Sequence, residues 1–224
     1  MKTHLCSVAM GKTMDELLEN ISLCKRVTPF VEVRSDYLNI QSEIDVKRIG
    51  KMGGKKSIFT CRRKDEGGNW QGSEEDRLLL LRRAFVCGFS YIDVELKTLE
   101  EGVFSIPKGM EGQSIVSFHN FKLTASEDEL QNIISRMRTF SPGIMKIATL
   151  VREQKDAMTL YKILITRRMN EQMCVIGMGN MGRQTRIIAP LLGGSLSYCS
   201  INSEGSAPGQ MTCDEMKNCY RLLR

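Results

Sequence analysis

Two hydrophobic rhythms alternate along the chain. Short runs of β-branched, aromatic and small apolar residues occupy positions 3–10, 30–36, 57–62, 90–96, 114–119, 144–151, 173–178 and 196–202, most of them bounded by glycine or polar clusters. Such runs read as strands. Between them the spacing changes. Leu17, Leu18, Ile21 and Cys24 share one face, as do Leu130, Ile133, Ile134 and Met137. The same holds for Ala157, Leu160, Tyr161 and Leu164, and for Met216, Cys219, Tyr220 and Leu223. This i, i+3, i+4, i+7 pattern predicts amphipathic helices. Thr13 with Glu16, and Ser126 with Glu129, have the spacing of capping boxes that open two of them. Segment 97–112 holds Pro107 and three glycines, so the helix there must be short.

The strand–helix unit recurs eight times in 224 residues. That alternation calls for a parallel sheet with crossover helices. The expected fold is α/β, a (β/α)8 TIM barrel forming a single compact domain over residues 1–224, near the small end of the fold's size range. An open doubly wound sheet is the alternative that pattern alone allows. No apolar run approaches the roughly 20 residues that cross a bilayer, so no membrane partner is expected. The opening residues, MKTHLCSVAMGKT, lack a cleavage motif and read as a first strand rather than a signal peptide.

Composition narrows the chemistry. The net charge is +6, yet basic residues are dispersed, and the densest cluster, Arg62-Arg63-Lys64, runs straight into Asp65 and Glu66. That spread, without interleaved aromatics, argues against a nucleic-acid partner and for arginines kept for an anionic small molecule. The eight cysteines form no C-x-x-C pair, and His4 and His119 are the only histidines, so no metal site is expected. Reduced thiols in a cytoplasmic protein are the simplest reading.

In a barrel, chemistry gathers at the carboxyl ends of the strands. There the sequence places Glu32, Arg34, Arg62, Glu66, His119, Lys146, Arg183, Arg186, Ser206 and Gln210. Lys146 sits on one face of an apolar strand. Burial lowers the pKa of an ammonium, and a neutral amine is what attack on a ketone needs. A lysine reaching to a strand end, or paired with a carboxylate, is the equal alternative. His119 at a strand end suits proton transfer; a histidine satisfied within the core is the other reading. Asp93 and Glu95 could either touch the site or be satisfied inside the barrel. Gly177-Met178-Gly179-Asn180-Met181-Gly182 matches G-x-G-x-x-G, with Glu204 placed as a ribose-binding acid could be. Only 42 residues follow Gly182, too few for the rest of a dinucleotide domain, and a loop for an anion fits as well.

Six stretches, in order and spanning about four-fifths of the chain, together resemble the type I 3-dehydroquinate dehydratase family of the shikimate pathway. They are Glu32-Val33-Arg34-Ser35-Asp36; Thr60-Cys61-Arg62 with Glu66-Gly67-Gly68; Ser117-Phe118-His119-Asn120-Phe121; Met145-Lys146-Ile147-Ala148; Met178 to Gly182 leading to Arg186; and Ser206-Ala207-Pro208-Gly209-Gln210. The resemblance implies a (β/α)8 barrel with no metal or cofactor, a hydro-lyase that converts 3-dehydroquinate to 3-dehydroshikimate. It implies that Lys146 forms an imine with the C3 ketone, that His119 shuttles the proton between C2 and the C1 hydroxyl, and that Glu66 orients His119. By the same resemblance Arg186 grips the substrate carboxylate, Glu32, Arg34 and Arg62 bind hydroxyl or carbonyl groups, and Ser206 and Gln210 lie on a covering loop. A cytoplasmic homodimer is the assembly it suggests. Two features depart from the family. An ungapped match puts Val8 where a strand-one serine is common, so strand one is assigned no site residue. The N-terminal hairpin of longer members is expected to be absent. The competing readings are another Schiff-base lyase such as a class I aldolase, an NAD(P)-binding oxidoreductase, and a non-catalytic protein on the same scaffold.

Overall fold

The computed structural model describes residues 3–39, 44–202, 205 and 207–223. Among them eight strands alternate with eight α-helices. The order is β1 His4–Ala9, α1 Met14–Val27, β2 Phe30–Arg34, α2 Val46–Gly53, β3 Ser57–Thr60, α3 Glu74–Ala84, β4 Tyr91–Glu95 and α4 Leu96–Glu100, then β5 Ser114–Asn120, α5 Glu127–Arg138, β6 Ile144–Leu150, α6 Gln154–Ile165, β7 Met173–Met178, α7 Thr185–Leu191, β8 Leu196–Cys199 and α8 Cys213–Leu222. Hydrogen-bonded neighbours run β7-β6-β5-β4-β3-β2-β1-β8, and every ladder is parallel. Sequential order that brings the last strand back beside the first is a barrel; a doubly wound sheet reverses its order part-way. Between β7 and β8 the N–H and hydroxyl of Ser195 both donate to the Met173 carbonyl, at 2.9 and 3.1 Å, so the barrel is nearly closed.

Both predicted capping boxes form, and Thr212 with Glu215 makes another at α8. The fourth helix is short, five residues, as the glycines and Pro107 require. The helices close an outer core in which Leu17, Ile21, Ile49, Leu81, Leu130, Ile134 and Leu160 pack against outward strand residues such as Val33, Phe59 and Ile147. Each fully buried side chain of this kind contributes about 1.5–3 kcal/mol. Alternation along the strands fills the barrel itself. Its lower interior is apolar, with Cys6, Ile58, Ile115 and Cys174 from the odd-numbered strands. Glu32, Asp93, Lys146 and Tyr198 from the even-numbered strands meet within the barrel. One charged cluster is thus set on an apolar plug.

One expectation is overturned. Cys199 and Cys213 form a disulfide, with Cα atoms 5.0 Å apart, rather than standing as reduced thiols. The strand run also stops at Cys199 instead of reaching 202. Ser200 leaves the sheet to bridge Thr212: its N–H donates to Met211 O at 3.0 Å, and Cys213 N–H donates back to Ser200 O at 2.8 Å. That return places the two cysteines side by side. Cys6, Cys24, Cys61, Cys87, Cys174 and Cys219 are free. No helix among the described residues is long and apolar enough to cross a membrane.

Candidate active site

Lys146 points inward from β6 between Ile144 and Ala148, while Met145 and Ile147 face the helices. Its Nζ lies 3.0 Å from Asp93 Oδ2 and 3.2 Å from Glu32 Oε1, and 4.4 Å from the centre of the Tyr198 ring. Burial, the strongest influence, presses the ammonium pKa down, but Asp93 and Glu32 more than offset it, and the net shift is upward. The resting lysine is therefore a paired ammonium: of the two readings the sequence left open, it is the lysine paired with carboxylates and not the amine kept neutral by burial. The pairing also resolves the ambiguity over strand four. Asp93 touches Lys146, whereas Glu95 braces Arg62.

Arg62 ties this centre to the wall. It reaches Asp93 at 2.8 Å, Glu95 at 2.9 Å and the Ser117 hydroxyl at 2.8 Å. Behind it Arg77, wholly buried, donates to the other Glu95 oxygen at 2.9 Å and to Cys61 O at 2.8 Å. Though buried, Asp93 is held well below the usual carboxylate range, because Arg62 and Lys146 both face it. Arg34 forks onto Asp36 with two hydrogen bonds of 2.8 Å and lies over the Tyr37 ring. Arg34 and Arg62 thus line the cavity while much of their donor capacity serves internal carboxylates.

His119 stands at the end of β5 with its Nδ1 2.8 Å from Glu66 Oε2, and its backbone N–H donates to the same oxygen at 3.1 Å. Burial, then the charge of Glu95, pushes the Glu66 carboxyl up to about 8 against the opposing pull of Arg62. Burial, then Arg62 and Lys146, pushes His119 well below the ordinary histidine value. The two groups form one coupled unit joined through Nδ1, which leaves Nε2 for substrate. Gly67 follows Glu66 with φ +78°, and a Cβ there would run into the Phe121 ring. Gly67→Ala is accordingly expected to cost about 1–2 kcal/mol from the left-handed backbone alone. It should also lower kcat/KM by displacing Phe121 and Glu66; a thermal melt and steady-state rates check both.

On the opposite wall Arg186 is buried, and its Nε and Nη2 have no hydrogen-bond partner. Nη1 alone donates, to the Tyr198 carbonyl at 3.4 Å. Burial without a carboxylate lowers this guanidinium to about 10. The glycines of the β7 loop explain how it gets there. A Cβ on Gly182 would collide with the Gly177 backbone and one on Gly177 with the Val151 and Thr185 side chains, and the Gly177 N–H donates to the Thr185 hydroxyl at 2.7 Å. The loop folds tightly on itself and starts α7 beneath the cavity, so the G-x-G-x-x-G spacing serves chain packing.

Glu32, Arg34, Arg62, Glu66, His119, Lys146, Arg186 and Gln210 all line one cavity of about 500 Å³, part of it open to solvent. Ser206 and Glu204 lie outside the described residues. The sequence reading missed Tyr198, also on the wall. Its only signal was alternation, which places it inward with Leu196 on β8.

The model of the family described as type I 3-dehydroquinase matches residues 5–224. The chain belongs to the type I 3-dehydroquinase family. It is 36% identical over 218 residues to a 3-dehydroquinate dehydratase of Coxiella burnetii (strain RSA 493 / Nine Mile phase I), covering 97% of this chain and 92% of that one. The crystal structure of 3-dehydroquinate dehydratase from Geobacillus kaustophilus HTA426 superposes with a TM-score of 0.82 at 20% identity, over 100% of this chain and 91% of that one. A type I enzyme from Clostridium difficile, described with covalent modified comenic acid, gives 0.79 at 20% identity, over 99% and 92%. The activity is that of the family, a hydro-lyase of the shikimate pathway acting on 3-dehydroquinate.

Proposed function

We propose that Lys146 is the covalent nucleophile of this dehydration and His119 its proton shuttle. The observation that carries the proposal is the cluster around Nζ. Two carboxylates surround a buried lysine while a guanidinium with free donors waits across the same cavity. The substrate carboxylate docks on Arg186, and the C3 carbonyl comes to Nζ. Lys146 gives up a proton, for which the Glu32 carboxylate at 3.2 Å is a ready acceptor. Nitrogen then adds to C3, and loss of water leaves an iminium. Asp93 and Glu32, which favour the ammonium, favour this cation for the same reason.

The iminium draws electrons from C2. His119 Nε2 takes the C2 proton, the electron pair moves toward nitrogen, and the C1–oxygen bond breaks as the hydroxyl leaves with the proton His119 returns. Water then hydrolyses the imine, freeing 3-dehydroshikimate and Lys146. Glu66 fixes the histidine tautomer. Glu32, Arg34, Arg62 and Gln210 hold the remaining substrate oxygens, and Ser206 joins Gln210 in covering the ligand. Residues 1–224 act as one catalytic domain with no metal or cofactor, in the cytoplasm and as a homodimer.

The deciding test is to mix protein, 3-dehydroquinate and sodium borohydride and map the added mass by peptide mass spectrometry. The expected result is a reduced adduct on Lys146 with loss of activity. An adduct elsewhere, or none while turnover proceeds, removes Lys146 from this role.

A further inference from the structure

Tyr198 has no part in the scheme above, yet it meets Lys146, Glu32 and Asp93 inside the barrel. It is 3% exposed, and its ring face lies against Lys146 Nζ. Its hydroxyl is buried without a hydrogen-bond partner. A buried hydroxyl left in that state destabilises the fold, so each such group calls for an explanation. Among the described residues four buried side-chain atoms lack partners. Three of them, Arg186 Nε, Arg186 Nη2 and Tyr198 Oη, belong to two residues of one cavity. The two are coupled, since Arg186 Nη1 donates to the Tyr198 carbonyl. The fourth, Tyr161 Oη, lies on α6 away from that cavity.

Orphan donors on the wall of one cavity mark where a ligand's acceptor oxygens go. Arg186, a cation, suits the carboxylate. The Tyr198 phenol suits a neutral oxygen that gains negative charge during the reaction. Burial, with Glu32 nearby, raises its pKa well above the ordinary value, so it stays a donor across the working pH range. When Lys146 adds to a ketone, the oxygen remains on the attacked carbon, one atom from Nζ. That location is beside the ring over which Nζ already sits.

We infer that Tyr198 is a substrate-binding residue whose hydroxyl donates a hydrogen bond to the oxygen on the carbon that Lys146 attacks, first as ketone and then as carbinolamine. The phenol keeps its proton throughout. Its hydrogen bond strengthens as the oxygen gains charge, which lowers the barrier to addition, and its ring face supports the cationic nitrogen. The inference rests on the imine reading of Lys146 and extends it to the step that forms the imine.

Tyr198→Phe keeps the ring and deletes the hydroxyl. The test compares its rate of borohydride-trapped adduct formation with that of the parent protein in a single turnover with 3-dehydroquinate, alongside a thermal melt. The expected result is trapping slowed by about 10- to 100-fold, still on Lys146. The melting temperature should be unchanged or raised, because the deleted group had no partner to lose. Trapping at the parental rate overturns the inference and leaves Lys146 in place. Slowed trapping with a lowered melting temperature overturns it too, by marking the hydroxyl as structural. If the parent protein itself gives no adduct on Lys146, the imine reading fails and this inference with it.

Discussion

Lys146→Ala is expected to lower turnover by roughly 10⁴-fold or more, the scale on which removal of a covalent nucleophile is felt. Without the amine no iminium forms, and the carbanion at C2 loses its electron sink. The surroundings of Lys146 make this substitution costly in a second way. Breaking a buried ion pair by removing one partner costs about 3–5 kcal/mol. Here Asp93 keeps Arg62 at 2.8 Å and the Ser117 hydroxyl at 2.6 Å, so the burden falls on Glu32, which keeps the neutral Thr60 hydroxyl at 3.0 Å. Loss of activity in the alanine variant could therefore reflect a disturbed barrel. Lys146→Gln separates the causes, because an amide can still donate to Glu32 while being unable to form an imine. The glutamine variant should melt closer to the parent and be as inactive as the alanine variant. Substantial turnover in Lys146→Gln would sink the covalent mechanism.

The reason such a test is needed also shows what a sequence can carry. The barrel was legible because its signals are local and periodic: apolar alternation for strands, a 3.6-residue beat for helices, capping boxes at Thr13 and Ser126. Strand-end position then gathered the cavity residues without any contact being known. Contacts made across the barrel were not legible. The partners of Lys146 lie 53 and 114 residues away in sequence, so the choice between an amine kept neutral by burial and an ammonium paired with a carboxylate stayed open until Asp93 and Glu32 were found beside it. The same limit left Asp93 and Glu95 undecided. Their roles depend on Arg62 and Arg77, which sit on other elements. Tyr198 was missed because an inward tyrosine looks like core packing until its hydroxyl is found without a partner. The Cys199–Cys213 bond was invisible because it depends on how the chain returns after β8.

His119→Ala is expected to split the reaction rather than abolish its start. Lys146 keeps its carboxylate partners in this variant, so the imine still forms. The proton transfers at C2 and C1 lose their shuttle, and turnover falls by about 10²- to 10⁴-fold. Borohydride should then trap chiefly the substrate-derived adduct, heavier by one water than the dehydrated adduct formed with the product. Near-normal turnover would remove His119 from the mechanism. In the parent enzyme the pH profile carries a matching signature. Glu66 is raised to about 8 and His119 is lowered, so below about 8 the pair retains an extra proton that hinders Nε2 from acting as a base. Above that pH the proton leaves, Glu66 accepts from Nδ1, and Nε2 is free. The deprotonation step should therefore speed up as pH rises through about 8. Glu66→Gln still accepts from Nδ1 but cannot hold the extra proton. Its rising limb should move to lower pH, toward the depressed titration of His119 alone. A limb that stays in place would show that the shared proton is not what sets it.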